Sequence, residues 1–257
     1  MRIARVLFDA RIHYALLENG VARLLAASPF EDPDGLSNGS GKTVLLAECR
    51  LLAPSEPSKA VCVGLNYADH SHIGDEDAPG EPLFFLKPPT AVLDPFGVID
   101  YPPETGDLQY EAELAVVIGR RAHRISADRA AEHVLGYTCA NDVTARDLQK
   151  RDGQWTRAKS FDTFLPLGPW IETVFDPNAV DIRLTLNGAV KQSANTRCML
   201  RPVAELVSAA SQIMTLLPGD VVLTGTSGGL GPMRKGDSVS VEIAGIGVLT
   251  NTIGTVP

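Results

Sequence analysis

Apolar and polar residues alternate through residues 2–9 and cluster again through 12–17, with a short break between them. Glu18-Asn19-Gly20 then turns the chain into the run Val21 to Leu25. A period of two is the mark of strands with one buried face, so the chain is expected to open with a small β-meander. From Ser28 to Gly41 it is crowded with Pro, Asp, Gly, Ser and Asn, a composition that predicts an exposed loop. A second punctuated segment, Ala53 to Ser58, precedes the apolar run Val61 to Leu65. This places a domain boundary near residue 57, with a small β-rich unit over 1–57 and a larger one over 58–257.

In the larger unit the strand-like runs are Pro82 to Leu86, Glu113 to Ile118, Val134 to Ala140, Ile182 to Leu186, Val221 to Thr224, Val239 to Ile243 and Val248 to Ile253. Asn187-Gly188 follows one of them and signals a type I′ hairpin. Two segments read as helices. One opens at Ser126 and runs through Asp128 to His133. The other spans Pro202 to Leu216, with Val203, Leu206, Val207, Ala210, Ile213 and Met214 at helical spacing. Strands outnumber helices and do not alternate with them, which disfavours doubly wound and barrel α/β folds and predicts a β-rich α+β fold.

Composition narrows the function. With 257 residues, 44% of them hydrophobic, the chain can bury a full core. A net charge of −8 and the lack of a basic stripe argue against nucleic acid as a partner. The longest apolar stretch, Leu114 to Gly119, is far below the roughly 20 residues that span a bilayer, and residues 1–13 lack the apolar region of a signal peptide. Cys49, Cys62, Cys139 and Cys198 form no C-x-x-C pair and read as thiols in a reducing compartment. The expectation is a cytoplasmic protein with no membrane partner.

Several polar groups could carry chemistry. Glu111 and Glu113 are two apart at the head of a strand-like run and so share a face. Adjacent carboxylates repel, and a hard divalent cation with oxygen ligands relieves that; isolated Glu-x-Glu pairs also occur on solvated strand faces. Asp142 ends a second strand-like run, with Arg146 and Gln149 about a helical turn behind it, an arrangement suited to a carboxylate ligand or to an intrahelical Asp142–Arg146 pair. Lys159 lies among aromatic and hydroxyl residues, where a desolvated ammonium could stabilise an enolate. The glycine-rich segment Thr224 to Pro232 allows close approach to a ligand, or is a long hairpin connection. His70 and His72 follow a strand in what could be a lid, where a histidine can act as a general base. Gly39 to Thr43 ends like a phosphate-binding loop, but Leu36 stands where that motif requires glycine.

Taken together, Val63 to His70, Glu81 to Pro88, Tyr110 to Leu114, Asn141 to Asp147, Ala158 to Asp162 and Leu223 to Thr226 resemble, in order, the blocks of the fumarylacetoacetate hydrolase family. The resemblance runs from about Val61 to Ile253. It implies a mixed β-sandwich or roll, commonly homodimeric, with Mg²⁺ or Mn²⁺ held at Glu111, Glu113 and Asp142. It further implies His70 and Lys159 as catalytic groups and Tyr67, Arg146, Gln149 and Thr226 as contacts to a small 2-oxo acid. Members isomerise hydroxy-diene dioates from aromatic catabolism, tautomerise or decarboxylate oxo-diacids, or hydrolyse acylpyruvates; a catalytically impaired metal- and ligand-binding homologue is a further alternative. Hydrolytic members carry a glutamate three residues after the lid histidine, where this chain has Ile73, and Asp75 or Glu76 would have to replace it. Isomerisation or tautomerisation is therefore the leading expectation.

Overall fold

A computed structural model describes residues 1–32, 36, 39–71 and 80–255, with side chains 39, 40, 70 and 71 outside the description. The first unit supplies β1 (Arg2–Phe8), β2 (Arg11–Glu18), β3 (Val21–Leu25), β4 (Gly39–Leu45) and β5 (Arg50–Leu52). Its two tight turns, Asp9-Ala10 and Asn19-Gly20, have positive φ at both residues, the turn backbone whose twist matches antiparallel strands. The expected meander is present. The expected loop ends sooner than the composition suggested, because Gly39 to Gly41 already belong to β4, the last strand of its sheet. The residues resembling a phosphate loop lie in that strand.

The remainder supplies β6 (Ala60–Gly64), β7 (Leu83–Lys87), β8 (Val92–Leu93), β9 (Val98–Asp100), β10 (Leu108–Gln109), β11 (Ala112–Ile118), β12 (Val134–Asn141), β13 (Thr144–Ala145) and β14 (Leu165–Glu172). β15 (Asp181–Leu186), β16 (Ala189–Asn195), β17 (Val221–Leu223), β18 (Ser238–Ile243) and β19 (Gly247–Gly254) follow. Helices are α1 (Ala68–Ser71), α2 (Arg146–Asp152), α3 (Thr156–Lys159) and α4 (Val203–Ile213). The main sheet runs β4-β3-β2-β1-β14-β12-β11-β17-β6-β7, with β5 on β1 and β8 on β14. A second sheet runs β16-β15-β18-β19-β9. The architecture is strand-dominated, as the pattern predicted.

Every residue of β11 is buried. Leu114, Val116 and Ile118 enter the core shared with Leu184, Val241 and Leu249 of the second sheet, while Ala115 and Val117 enter a core shared with Ala140, Leu167 and Ile171. Both faces are covered, so the strand reads as a continuous apolar run. At roughly 25 cal/mol per Å² of apolar area, such burial is the dominant stabilising contribution.

Two local expectations change. Residues Ala127–His133 form a 3-10 helix rather than an α-helix. The last helix stops at Ile213, which is 66% exposed, so the apolar face ends at Ala210. The Asn187-Gly188 hairpin has positive φ at both turn residues, as a type I′ turn requires, but its second strand, β16, lacks apolar alternation and gave no signal. β14 gave none either: Pro166 and Pro169 argue against a central strand, yet it lies between β1 and β12. Pro166 pairs with the short parallel strand β8, and Pro169 falls where the β12–β14 register slips, an irregularity that leaves no ladder bond for its missing N–H to make.

Candidate metal centre

The site grows from the β11–β12 pair. Ala112 lies opposite Asn141, which sets Glu111, just before β11, beside Asp142, just after β12. Asn141 Oδ1 accepts the Glu111 backbone N–H at 2.9 Å, and the Asp142 N–H donates to the Glu111 carbonyl at 2.9 Å. Glu113, two residues along, shares the face of Glu111. One carboxylate oxygen from each of Glu111, Glu113 and Asp142 lies within 4.8 Å of the others, and all three side chains are buried.

Three basic groups answer two of the three carboxylates, Glu111 and Asp142. Lys159, at the end of α3, donates from Nζ to Glu111 Oε2 at 2.8 Å and to Asp142 Oδ2 at 2.7 Å. Burial pulls its pKa down, but Asp142 and Glu111 outweigh burial and hold it above the usual lysine value, so it acts as a cation and a donor. Lys87 donates to Asp142 Oδ1 and, at 3.0 Å, to the Val143 carbonyl. Arg146, opening α2, donates to Glu111 Oε1, Gln149 Oε1 and, at 3.1 Å, Gln109 Oε1. The intrahelical Asp142–Arg146 alternative is not formed, since Asp142 faces the two lysines.

Glu113 differs from its neighbours. Its hydrogen bond among the described residues comes from the Gly225 N–H, at 2.6 Å. Burial pushes its pKa well up, and Asp142 and Glu111 push further, against weaker opposition from Lys159 and Gly225. A buried carboxyl next to two carboxylates is stable when protonated or beside a cation. Oxygen ligands that converge in this way suit a hard divalent metal. The residues present therefore fit the expected metal.

A pocket of about 270 Å³, counting its open mouth, is lined by Glu111, Glu113, Arg146, Gln149, Lys159 and Thr226, with Phe85 and Trp155 as aromatic walls. The glycine-rich segment spends its Gly225 N–H on Glu113, and Gly225 has φ 93° with Asn66 Cβ only 2.8 Å from where a Cβ would stand. Glycine is required there by backbone and space alike. Tyr67 is buried, and its hydroxyl has no partner among the described residues. His70 lies in α1 by its backbone, whereas Ile73, Asp75 and Glu76 fall outside the described residues.

Two buried polar residues at the site were not singled out from the sequence, Lys87 and Gln192. Lys87 ends an otherwise apolar strand just before Pro88, so a charged residue at a strand end inside one of the resembling blocks was the available signal. Gln192 stands in the weakly patterned β16 and offered none.

A strand-rich fold carries a buried carboxylate cluster of the kind that can hold a metal ion, beside a small polar pocket. The chain belongs to the fumarylacetoacetate hydrolase family: residues 59–254 match the family described as fumarylacetoacetate (FAA) hydrolase C-terminal, and residues 1–54 match an N-terminal family described as Rv2993c-like. Among solved structures, a 5-carboxymethyl-2-hydroxymuconate delta-isomerase from Mycobacterium smegmatis aligns over all of both chains, with 44% identity and a TM-score of 0.92. A 2-hydroxyhepta-2,4-diene-1,7-dioate isomerase from Mycobacterium marinum has 46% identity and a TM-score of 0.91 over 99% of this chain and 98% of its own. The mitochondrial oxaloacetate tautomerase FAHD2A of Bos taurus is 46% identical over 80% of this chain and 70% of its own. No helix among the described residues is long and apolar enough to cross a membrane.

Proposed function

We propose that this protein isomerises or tautomerises a small 2-oxo or 2-hydroxy-enol (di)carboxylate, with Mg²⁺ or Mn²⁺ held by Glu111, Glu113 and Asp142. The observation that carries this reading is the charge balance of the site. Glu111 and Asp142 pair with Lys87, Lys159 and Arg146, Glu113 takes only the Gly225 N–H among the described residues, and with a cation to hold Glu113 ionised the three carboxylates balance the three basic groups. A divalent cation then leaves an excess of two positive charges, the complement of a carboxylate and an enolate on one ligand.

When bound, the metal supplies Lewis acidity toward a ligand oxygen on which negative charge develops. The chain's own groups do the rest. Arg146 has five N–H donors, of which three are engaged by Glu111, Gln149 and Gln109, leaving two to hold a carboxylate. Lys159 commits two of its three N–H groups to Glu111 and Asp142 and turns the third to an enolate oxygen, a fixed dipole that stabilises charge as it forms. Phe85 and Trp155 limit water at the pocket wall. His70, in the segment leading out of β6, is the proton carrier.

Two observations favour proton movement over hydrolysis. Position 73 is isoleucine, which cannot carry a proton to or from water, and the similar proteins named above are isomerases and a tautomerase. The test is absorbance-followed turnover by the Mg²⁺-loaded protein of the enol of oxaloacetate, hydroxy-diene dioates and acylpyruvates. Conversion of the enols should be fast, abolished by chelator, and slowed about 10²–10⁴-fold by His70→Ala. Full activity after complete chelation, or efficient acylpyruvate cleavage without enol conversion, refutes the proposal.

A further inference from the structure

We infer that Gln192 is a positioning residue that fixes the Thr226 hydroxyl as a hydrogen-bond donor into the pocket, aimed at an anionic oxygen of the ligand. The inference rests on the pocket being the 2-oxo-acid site proposed above. Gln192 lies in the middle of β16 with its side chain buried. Its orientation is settled by chemistry: the Ala112 backbone N–H, which can only donate, points at Oε1 at 2.9 Å. The amide nitrogen must therefore face the other way. There Nε2 donates to Thr226 Oγ1 at 2.8 Å and to the Ser227 carbonyl at 3.0 Å, with the Gly228 carbonyl farther off at 3.4 Å.

A hydroxyl that accepts from an amide N–H still has its own hydrogen to give. No acceptor for that hydrogen is found among the described residues, and Thr226 lines the pocket beside Glu111, Glu113, Arg146 and Lys159. Its donor is turned inward. The same glutamine holds the peptide between Glu111 and Glu113, because Ala112 is the residue that separates them. A single side chain on the second sheet thus ties the spacing of two candidate metal ligands to the polarity of a ligand contact on the segment after β17.

Oxalate, a dianion with the oxygen pattern of a 2-oxo-acid enolate, is the probe, titrated calorimetrically into the Mg²⁺-loaded protein. Thr226→Val and Gln192→Met should each weaken binding roughly tenfold, the scale of one hydrogen bond to a charged group. The double variant should lose less than the two single penalties added together, because part of what Gln192 does runs through that hydroxyl and the rest through the Ala112 peptide. In turnover, both single variants should raise KM more than they lower kcat, and Thr226→Ser should restore both. Should Gln192→Met fail to fold, Gln192→Glu keeps an acceptor for the Ala112 N–H while drawing the Thr226 hydrogen back to itself. Its penalty should then be smaller in the Thr226→Val background than in wild type. Equal penalties in the two backgrounds, or undiminished oxalate binding by Thr226→Val, overturn the inference. Absence of oxalate binding by wild type refutes the pocket assignment itself, and the inference with it.

Discussion

Asp220 and Glu113 are both carboxylates sealed inside the same domain, and their surroundings could hardly differ more. Asp220, just before β17, takes Ser58 Oγ at 2.7 Å and the Lys59 N–H at 3.2 Å on one oxygen, and Lys59 Nζ and the Leu217 N–H on the other. Each of its oxygens is satisfied twice, and the bonds pin the start of β6 to the start of its parallel partner β17. Among the described residues Glu113 takes a single N–H, from Gly225, while two other carboxylates lie close by. A buried charge needs partners to be tolerated. Where the chain supplies them all, the carboxylate builds structure. Where it supplies them in part, the arrangement anticipates a cation from outside.

The sharpest way to break this comparison is to neutralise each residue in turn. Glu113→Gln should lower turnover by at least about 100-fold, beyond the 10–100-fold typical of a residue that merely orients a metal ligand. Without metal it should melt no lower than wild type, because it removes a repelling group. A Glu113→Gln enzyme that keeps its rate would place Glu113 with the structural carboxylates. Asp220→Asn should show the opposite profile, losing about 3 kcal/mol in urea unfolding, the low end for a broken buried ion pair, with turnover per folded molecule retained. Collapse of turnover at unchanged stability would erase the distinction.

Asp147 offers the smallest effect and a graded control. It is partly exposed and accepts from Thr105 Oγ1 at 2.5 Å, the Gly106 N–H at 3.0 Å and the Leu148 N–H at 2.9 Å. Burial pushes its pKa up, but these bonds outweigh burial and hold it below the usual carboxylate value. A depressed folded-state pKa means that its contribution is present above the unfolded value of about 4 and is lost as pH falls through the folded one. Asp147→Asn should therefore cost about 1 kcal/mol at neutral pH, and its melting temperature should converge with that of wild type in acid. A gap that widens toward low pH would contradict the assignment.

How much of this was legible beforehand follows from where the information sits. Glu111, Glu113 and Asp142 stood out because two of them are two apart at a strand start and the third ends another strand, and antiparallel pairing of those strands does the rest. The six ordered blocks carried the fold. Lys87 and Gln192 were missed because their importance lies in partners distant along the chain: one is matched to Asp142, 55 residues away, and the other to Ala112, 80 residues away. β14 was hidden by prolines whose missing donors matter only in a regular ladder, and this ladder slips at that point. The helix expected after Ser126 had its local signals, but such signals do not distinguish turns closed at i+3 from turns closed at i+4, and the segment packs against α4 as a 3-10 helix.

The pairing of β1 with β14 at Arg2–Glu172 and Ile3–Ile171 makes the first strand a cover for the sheet behind it. Were residues 1–57 cut away, the end of β14 would become a raw border, with unpaired backbone groups beside the bared side chain of Ile171. Such borders recruit other chains. The small leading unit therefore also keeps the sheet from growing sideways into neighbouring molecules, and its removal should be felt first as clumping and only afterwards as lost chemistry.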